Sequence, residues 1–143
     1  MRITISIEDI TRRVYAISAV RAVNAGEGKR PAVLTRDNAL LLRRLIRDCF
    51  AAVVGFMAAG VTDFSPLDPD DGGDLLWLDT ADSRVESGVA GESLAAAVLG
   101  RVLYAAFADC SPSLAGQYFG MSEDALRHLA RGRVACGRLR RHY

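Results

Sequence analysis

The chain has 143 residues, the length of one ordinary domain, and half of them are hydrophobic, so a single core can form without disulfides or a metal. Its net charge is only +1, which argues against a protein that reads a DNA sequence through a basic surface. The three cysteines, Cys49, Cys110 and Cys136, are odd in number and widely spaced, which argues against a disulfide framework and predicts reduced thiols.

The N-terminal half indicates neither secretion nor a membrane anchor. The first ten residues, MRITISIEDI, alternate between polar and apolar and then become charged, so they lack the apolar segment of a signal peptide. The longest apolar stretch without a charge, residues 49–62, has 14 residues, whereas a spanning helix needs about 20. We therefore expect a cytoplasmic protein with no membrane segment.

The first two helices are predicted from apolar residues that recur every three or four positions. The first covers residues 7–25, with the Ser6 hydroxyl placed to accept the backbone N–H of Asp9 at its start. The second covers residues 36–60 and begins after Thr35. Its second half is apolar nearly all round, which predicts either a deep core position or a subunit contact.

An acidic segment follows the second helix, at residues 62–91. The run LLWL at residues 75–78 is too short for a helix between the Asp, Pro, Ser and Gly residues that flank it. We predict a β-hairpin over residues 74–89, with strands at residues 74–79 and 84–89. An isolated hairpin is marginally stable, so its apolar face should pack on the helices or on a neighbouring subunit.

The last two helices are predicted at residues 92–109 and 112–140. Arg101 is the only charge between the ends of the third helix, so this helix should be the central, buried one. The fourth is predicted as one long helix with a bend at Gly120. The alternative is that it stops there and restarts with Ser122 as N-cap.

Together these elements predict a mainly α protein, a bundle of four helices with a small β-hairpin insert. All of it belongs to one domain spanning residues 1–143, in which residues 62–91 form the acidic insert. No internal repeat or low-complexity tract divides the chain.

The near-zero net charge hides two poles of opposite sign. Residues 63–92 contain nine acidic residues and one basic residue, and the rest of the chain carries a net charge of +9. No acidic residue follows Asp124. We predict that these poles are interaction surfaces. The basic candidates are Arg127, Arg131, Arg133, Arg138, Arg140 and Arg141, and the acidic pole contributes Asp68, Asp70, Asp71 and Asp74 together with Trp77.

Residues 68–79 of the acidic pole have the length of a calcium-binding loop but not its ligand pattern. If Asp68 is position 1 of a twelve-residue EF-hand loop, Asp79 falls at position 12. Position 5 is then Gly72, which has no side-chain oxygen, and Asp79 is shorter than the bidentate Glu that calcium needs at position 12. We predict a solvated acidic turn, with no metal and no cofactor.

No constellation in the sequence indicates catalysis. Nucleotide-binding glycine motifs and a nucleophile elbow are absent, and His128 and His142 have no second histidine or cysteine at metal-ligand spacing. Cys49 and Cys110 lie in apolar stretches, which indicates small core residues rather than reactive thiols. We therefore expect a protein without enzymatic activity.

The arginine-rich C-terminal helix allows three interpretations. Arg127, Arg131 and Arg138 fall roughly on one helical face and offer positive charge to nucleic-acid phosphates. The same face of one subunit can instead meet the acidic pole of another, since complementary patches steer assembly. It can also be a solvated face. Seventeen of the eighteen Lys and Arg residues are arginine, which favours bidentate contacts with carboxylates or phosphates.

The order of the elements is similar to that of a known class of protein. The pattern consists of a SIEDI start, the long helix LTRDNALLLRRLIRDCF, a polar loop with a hairpin, an apolar helix with LGRVLY, and a last helix with SPSLAGQYFGMSEDALRHL. Over most of the chain it resembles small, mostly helical structural proteins of bacterial prophages, of the head-tail connector or neck type.

The resemblance implies a non-enzymatic protein that assembles into rings under the portal, with helices packing between neighbours. It further implies a homo-oligomer of the bacterial cytoplasm that joins portal or tail-completion proteins in a virion. The alternative function is a small helical nucleic-acid-binding or regulatory module that uses the arginine-rich helix.

Overall fold

The computed structural model describes residues 1–24, 38–57, 60–66, 73–81 and 87–141, and for residues 21–24, 87 and 130–141 it describes the backbone alone. The described residues form a mainly helical protein with a small antiparallel sheet, which confirms the predicted fold class. In chain order the elements are β1 (Arg2–Ser6), α1 (Ile7–Asn24), α2 (Ala39–Phe56), β2 (Val61–Phe64), β3 (Leu75–Thr80), α3 (Ser87–Phe107) and α4 (Pro112–Arg141).

The sheet has the strand order β1-β3-β2, and both pairs are antiparallel. The predicted pairing of residues 74–79 with residues 84–89 is wrong. Residues 87–89 belong to α3, and β3 pairs with β1 on one side and with β2 on the other. The alternation of RITIS near the N-terminus is therefore the pattern of a strand that has one buried face.

One hydrophobic core joins the sheet to the helices. The inner face of the sheet buries Ile3 and Ile5 from β1 and Leu76 and Leu78 from β3. α3 is the central helix, as predicted, because it packs on α1, α2, α4 and β1. Its segment Gly88–Phe107, of mean hydropathy 1.3, has the length and composition of a membrane span, and 56% of the window is buried inside the protein, as in the core helix of a bundle.

The backbones of α3 and α4 approach each other closely in an antiparallel hairpin. A Cβ added at Gly100 would lie 2.8 Å from the backbone oxygen of Tyr118 and 2.9 Å from atoms of Ser122. The buried Ser122 hydroxyl donates a 2.8 Å hydrogen bond to the carbonyl of Ala97. α4 is one continuous helix through Gly120, so the prediction of a single long helix is confirmed and the restart is wrong.

The predicted helix bounds hold for α1 and α4 and differ for α2 and α3. α2 ends at Phe56 rather than at residue 60, because the chain turns there and the N–H of Gly60 donates to the carbonyl of Met57 at 3.0 Å. Phe56 is 63% exposed, so the apolar second half of α2 is not wholly in the core. α3 begins at Ser87 rather than at residue 92.

Candidate interaction surfaces

Asp74, predicted as a surface charge of the acidic pole, is bound at the start of α1. Its carboxylate accepts a 2.7 Å hydrogen bond from the Ser6 hydroxyl and a 2.8 Å hydrogen bond from the backbone N–H of Glu8. The Ser6 hydroxyl also accepts the N–H of Asp9 at 3.2 Å, as predicted. The hydrogen bond from Ser6, and then that from Glu8, lower the pKa of Asp74 below its ordinary value. Asp74 therefore caps the N-terminus of α1.

Two arginines of α2 bind the chain beside Asp74. Arg43 and the buried Arg47 both donate hydrogen bonds to the carbonyl of Gly73, and the bond from Arg47 is 2.8 Å long. The positive charges of Arg43 and Arg12 also lower the pKa of Asp74. A groove of about 620 Å³ lies between α1 and α2 beside Asp74, and its described lining residues carry two charges of each sign. The described part of its lining has no net charge with which to select an ionic ligand.

The outer face of the sheet carries Trp77, the single tryptophan of the chain. The guanidinium carbon of Arg2 lies 3.8 Å from the centre of a Trp77 ring, and Arg2 donates to both carboxylate oxygens of Asp79, at 2.9 and 3.2 Å. The hydrogen bond from Arg2 lowers the pKa of Asp79 and raises that of Arg2. We call this outer face, formed by Arg2, Thr4, Asp63, Leu75, Trp77 and Asp79, the sheet face.

Asp63 and Leu75 give the sheet face an exposed carboxylate and an exposed apolar side chain. Asp63 lies opposite Asp79 in the register of β2 and β3, and within the described part of the chain it forms no salt bridge. Its Oδ1 accepts the backbone N–H of Phe64 at 2.9 Å. Leu75 is 61% exposed. The irregular register of the short strand β2 disfavours pairing with a further strand, so the face rather than this edge is open to a partner.

The described carboxylates of the acidic pole do not converge on a metal. Asp74 directly precedes β3 and Asp79 lies near the other end of this strand. The extended strand separates the two residues by roughly 17 Å. Among the residues that the structure describes, no group of three or more His, Cys, Asp or Glu side chains is arranged to hold a metal ion. Asp68, Asp70 and Asp71 lie outside the described residues.

The basic pole begins at Arg127 on α4. This side chain is 65% exposed and lies 3.5 Å from the carboxylate of Asp124, an exposed pair of the kind that adds little stability. Because α4 remains helical to its end, helical spacing places Arg131 and Arg138 on the same face as Arg127, and we call these three the arginine stripe. The described side chains do not include those of the later arginines of the basic pole, Arg131, Arg133, Arg138, Arg140 and Arg141.

α4 is longer than the helix on which it packs. The hydrogen bond between Ser122 and Ala97 sets an antiparallel register in which Ser87, the first residue of α3, lies opposite residue 132. α4 continues to Arg141, so roughly nine residues, or about 13 Å of helix, extend past the start of α3. Most of the basic pole therefore belongs to the part of α4 that leaves the α3–α4 hairpin.

The sequence patterns did not predict the contacts of Arg101 and predicted the wrong position for one cysteine. Arg101, the single charge between the ends of the buried third helix, lies 4.9 Å from the ring of Phe119 and 3.6 Å from the carboxylate of Glu123. Cys110 is exposed, so its predicted core position is wrong, whereas Cys49 is buried as predicted. Burial raises the pKa of the Cys49 thiol to about 12, so its thiolate is not populated near neutral pH.

The chain matches no protein-family model, no curated protein and no solved structure. The sheet face and the arginine stripe therefore have to be interpreted from their own chemistry.

Proposed function

We propose that the protein is a non-enzymatic structural protein that assembles by self-association and by contacts with other proteins, as a virion component of the head-tail connector type. The observation that carries this proposal is the end of α4, where roughly nine residues extend past α3 and hold most of the basic pole. Most helical stability in proteins comes from packing, so the end of α4 offers a helical surface on which another molecule can pack.

Exposed apolar side chains support an assembly role. Leu40 is 78% exposed at the start of α2, Phe56 is 63% exposed at its end, and Leu75 is 61% exposed on the sheet face. A single exposed leucine is ordinary in a monomer, but here large apolar residues are exposed at both ends of α2 and on the sheet face. A partner that covers them would gain roughly 25 cal/mol for each Å² of apolar surface removed from water.

The resemblance to head-tail connectors supports the same role. In that class, helices of neighbouring subunits pack together in a ring under the portal. For this chain the role implies a homo-oligomer that is made in the bacterial cytoplasm and built into a virion. Its partners are then portal or tail-completion proteins, and the role requires no cofactor and no insertion into a membrane.

Sedimentation velocity and mass photometry across a range of concentrations test this function. The purified chain is measured alone and mixed with portal and tail-completion proteins. We expect complexes larger than a monomer in at least one of these samples, and we expect added salt to weaken them because the two poles are charged. A chain that remains monomeric by itself and also binds none of these proteins would contradict the proposed function.

A second candidate function is nucleic-acid binding through α4. It is favoured by the absence of acidic residues after Asp124 and by the exposure of Arg127. Gel-shift titrations over a salt series measure it directly. Replacing Arg127, Arg131 and Arg138 by Ala should reduce the slope of log K against log salt by about 0.9 for each phosphate of duplex DNA that is no longer neutralised. No binding at low salt would exclude this function.

A further inference from the structure

The arginine stripe and the sheet face lie on different sides of the molecule. Among the described residues α4 packs mainly on α3, whereas α3 also packs on α1, α2 and β1. The other face of the sheet is buried in the core. Within the described residues the two surfaces are therefore separated by α3 and the rest of the core, and neither contacts the other.

Arg127, the residue of the arginine stripe whose side chain the structure describes, has little charge compensation among the described residues. Among the described carboxylates the one beside Arg127 is that of Asp124, and both side chains of this pair are mostly exposed. No acidic residue follows Asp124 in the sequence. A stripe of guanidinium groups with long aliphatic stems is matched by a surface that offers carboxylates, an aromatic ring and some apolar area.

The sheet face has this chemistry and already binds one guanidinium group. Arg2 is stacked on Trp77 and donates two hydrogen bonds to Asp79, so an indole and a carboxylate on this face are placed to hold an arginine. Beside them, Asp63 is exposed and forms no salt bridge within the described residues. Leu75 adds exposed apolar area for the aliphatic stem of an arginine.

We propose that copies of the chain associate head to tail, with the arginine stripe of one copy docked on the sheet face of the next. This inference rests on the proposed function and names the contact by which the chain self-associates. Because each copy uses two different, separated surfaces, the contact is heterologous and generates a ring or a filament rather than a two-fold dimer.

Two variants test the contact without disturbing the core. The helix variant carries Arg127→Gln and Arg131→Gln, and the sheet variant carries Asp63→Lys and Leu75→Lys. Arg127, Asp63 and Leu75 are all exposed, so these changes should leave the fold intact. A charge-matched control carries Arg12→Gln and Arg44→Gln, at exposed positions of α1 and α2. Circular dichroism and thermal unfolding verify that each variant is folded.

Sedimentation velocity of nuclease-treated protein gives the main measurement. Each of the two variants alone should associate only at concentrations at least about tenfold higher than the wild type, whereas the control should associate like the wild type. A one-to-one mixture of the helix and sheet variants retains one intact stripe and one intact sheet face. It should therefore form a heterodimer at concentrations where neither variant associates, and nothing larger.

Fluorescence gives an independent measurement, because Trp77 is the single tryptophan and lies on the sheet face. Association of the wild type should shift its emission to shorter wavelength as the indole is covered. The same shift should occur in the mixture of the two variants. Neither variant should show it alone at the same concentration.

The outcomes separate this contact from the proposed function. If the helix variant associates as strongly as the wild type, or if the mixture gives no heterodimer, the head-to-tail contact is wrong while self-association stands. Association that disappears after nuclease treatment means that nucleic acid bridges the copies, which also overturns the contact. A wild-type chain that is monomeric overturns it too, and the proposed function then depends on binding to the portal or tail-completion proteins.

Discussion

At the scale of single residues, Asp74 belongs to the acidic pole by sequence, yet its carboxylate is used within the molecule. It accepts hydrogen bonds from Ser6 and Glu8 at the start of α1. A carboxylate at this position satisfies a backbone N–H that the helix leaves unpaired and interacts favourably with the helix dipole. The contact also ties the residue before β3 to the junction of β1 and α1. We therefore expect Asp74 to contribute to stability rather than to association.

Replacing Asp74 by Ala should lower the free energy of unfolding by about 1–2 kcal/mol at neutral pH, the usual contribution of such a cap. Because the pKa of Asp74 is lower in the folded chain than its ordinary value, this contribution is complete above the unfolded pKa. It is lost as the pH falls through the lower, folded pKa. Urea unfolding of both proteins from neutral pH to about pH 2 measures the effect, and the difference between them should shrink at the acid end.

Asp63→Ala is the matched control for this prediction. Asp63 is an exposed aspartate of the same acidic pole, and its carboxylate accepts the N–H of the next residue rather than capping a helix. Its replacement should change the free energy of unfolding by less than about 0.5 kcal/mol. A loss at Asp74 that is the same at every pH, or no larger than that of the control, would show that the ionised carboxylate is not the stabilising group.

At the scale of elements, the α3–α4 hairpin depends on a position without a side chain. Gly100 lets the backbone of α4 pass close to α3, beside the hydrogen bond from Ser122 to Ala97. The atoms that a Cβ at Gly100 would meet include the backbone oxygen of Tyr118 and the backbone nitrogen of Ser122. Backbone atoms of a helix cannot move singly, so an added methyl group has to displace the whole of α4 there.

Gly100→Ala should therefore destabilise the protein by about 1–3 kcal/mol, the usual cost of overpacking, although alanine is intrinsically the better helix former. Gly116→Ala and Gly120→Ala on α4 are the matched controls, because nothing lies within 4 Å of a Cβ added at either position. The free energy of unfolding of these two controls should rise by up to about 1 kcal/mol. Thermal or urea unfolding compares the three variants. A Gly100→Ala protein as stable as the controls would contradict the close approach of the helices.

The helices were predictable from the sequence and most of the sheet was not. The spacing of apolar residues along a helix is local, so the pattern fixed the ends of α1 and α4 to within one residue. The choice of a strand partner is not local. RITIS alternates as a strand should, but nothing in its own residues pairs it with β3, which lies about seventy residues later in the chain.

The candidate surfaces were also only partly predictable from the sequence. The charges of the two poles can be counted in the sequence, and the structure describes one side chain of the predicted basic face, that of Arg127, which is exposed. The cap formed by Asp74 and the stacking of Arg2 on Trp77 join residues that are distant in the chain. Such contacts have no local signal, because they depend on how the sheet is assembled.

At the scale of the whole molecule, β1 makes the sheet and the helices one structure. It pairs with β3 along its length, and its outer edge lies beside α3, where a Cβ on Gly91 would be 3.7 Å from the carbonyl oxygen of Thr4. Buried or partly buried apolar residues from every element belong to a single core. We therefore expect the sheet and the helices to unfold together.

Urea unfolding followed by Trp77 fluorescence, which reports on the sheet, and by far-UV circular dichroism, which reports on the helices, should give one common midpoint. Ile5→Ala should shift both midpoints equally. Because Ile5 is only 5% exposed, its truncation should lower the free energy of unfolding by about 2–4 kcal/mol. Thr4→Val, at the exposed neighbouring position, is the control and should change the stability by less than about 0.5 kcal/mol. Separate midpoints, or a shift in the fluorescence transition alone, would mean that the sheet is an independent unit attached to the helical bundle.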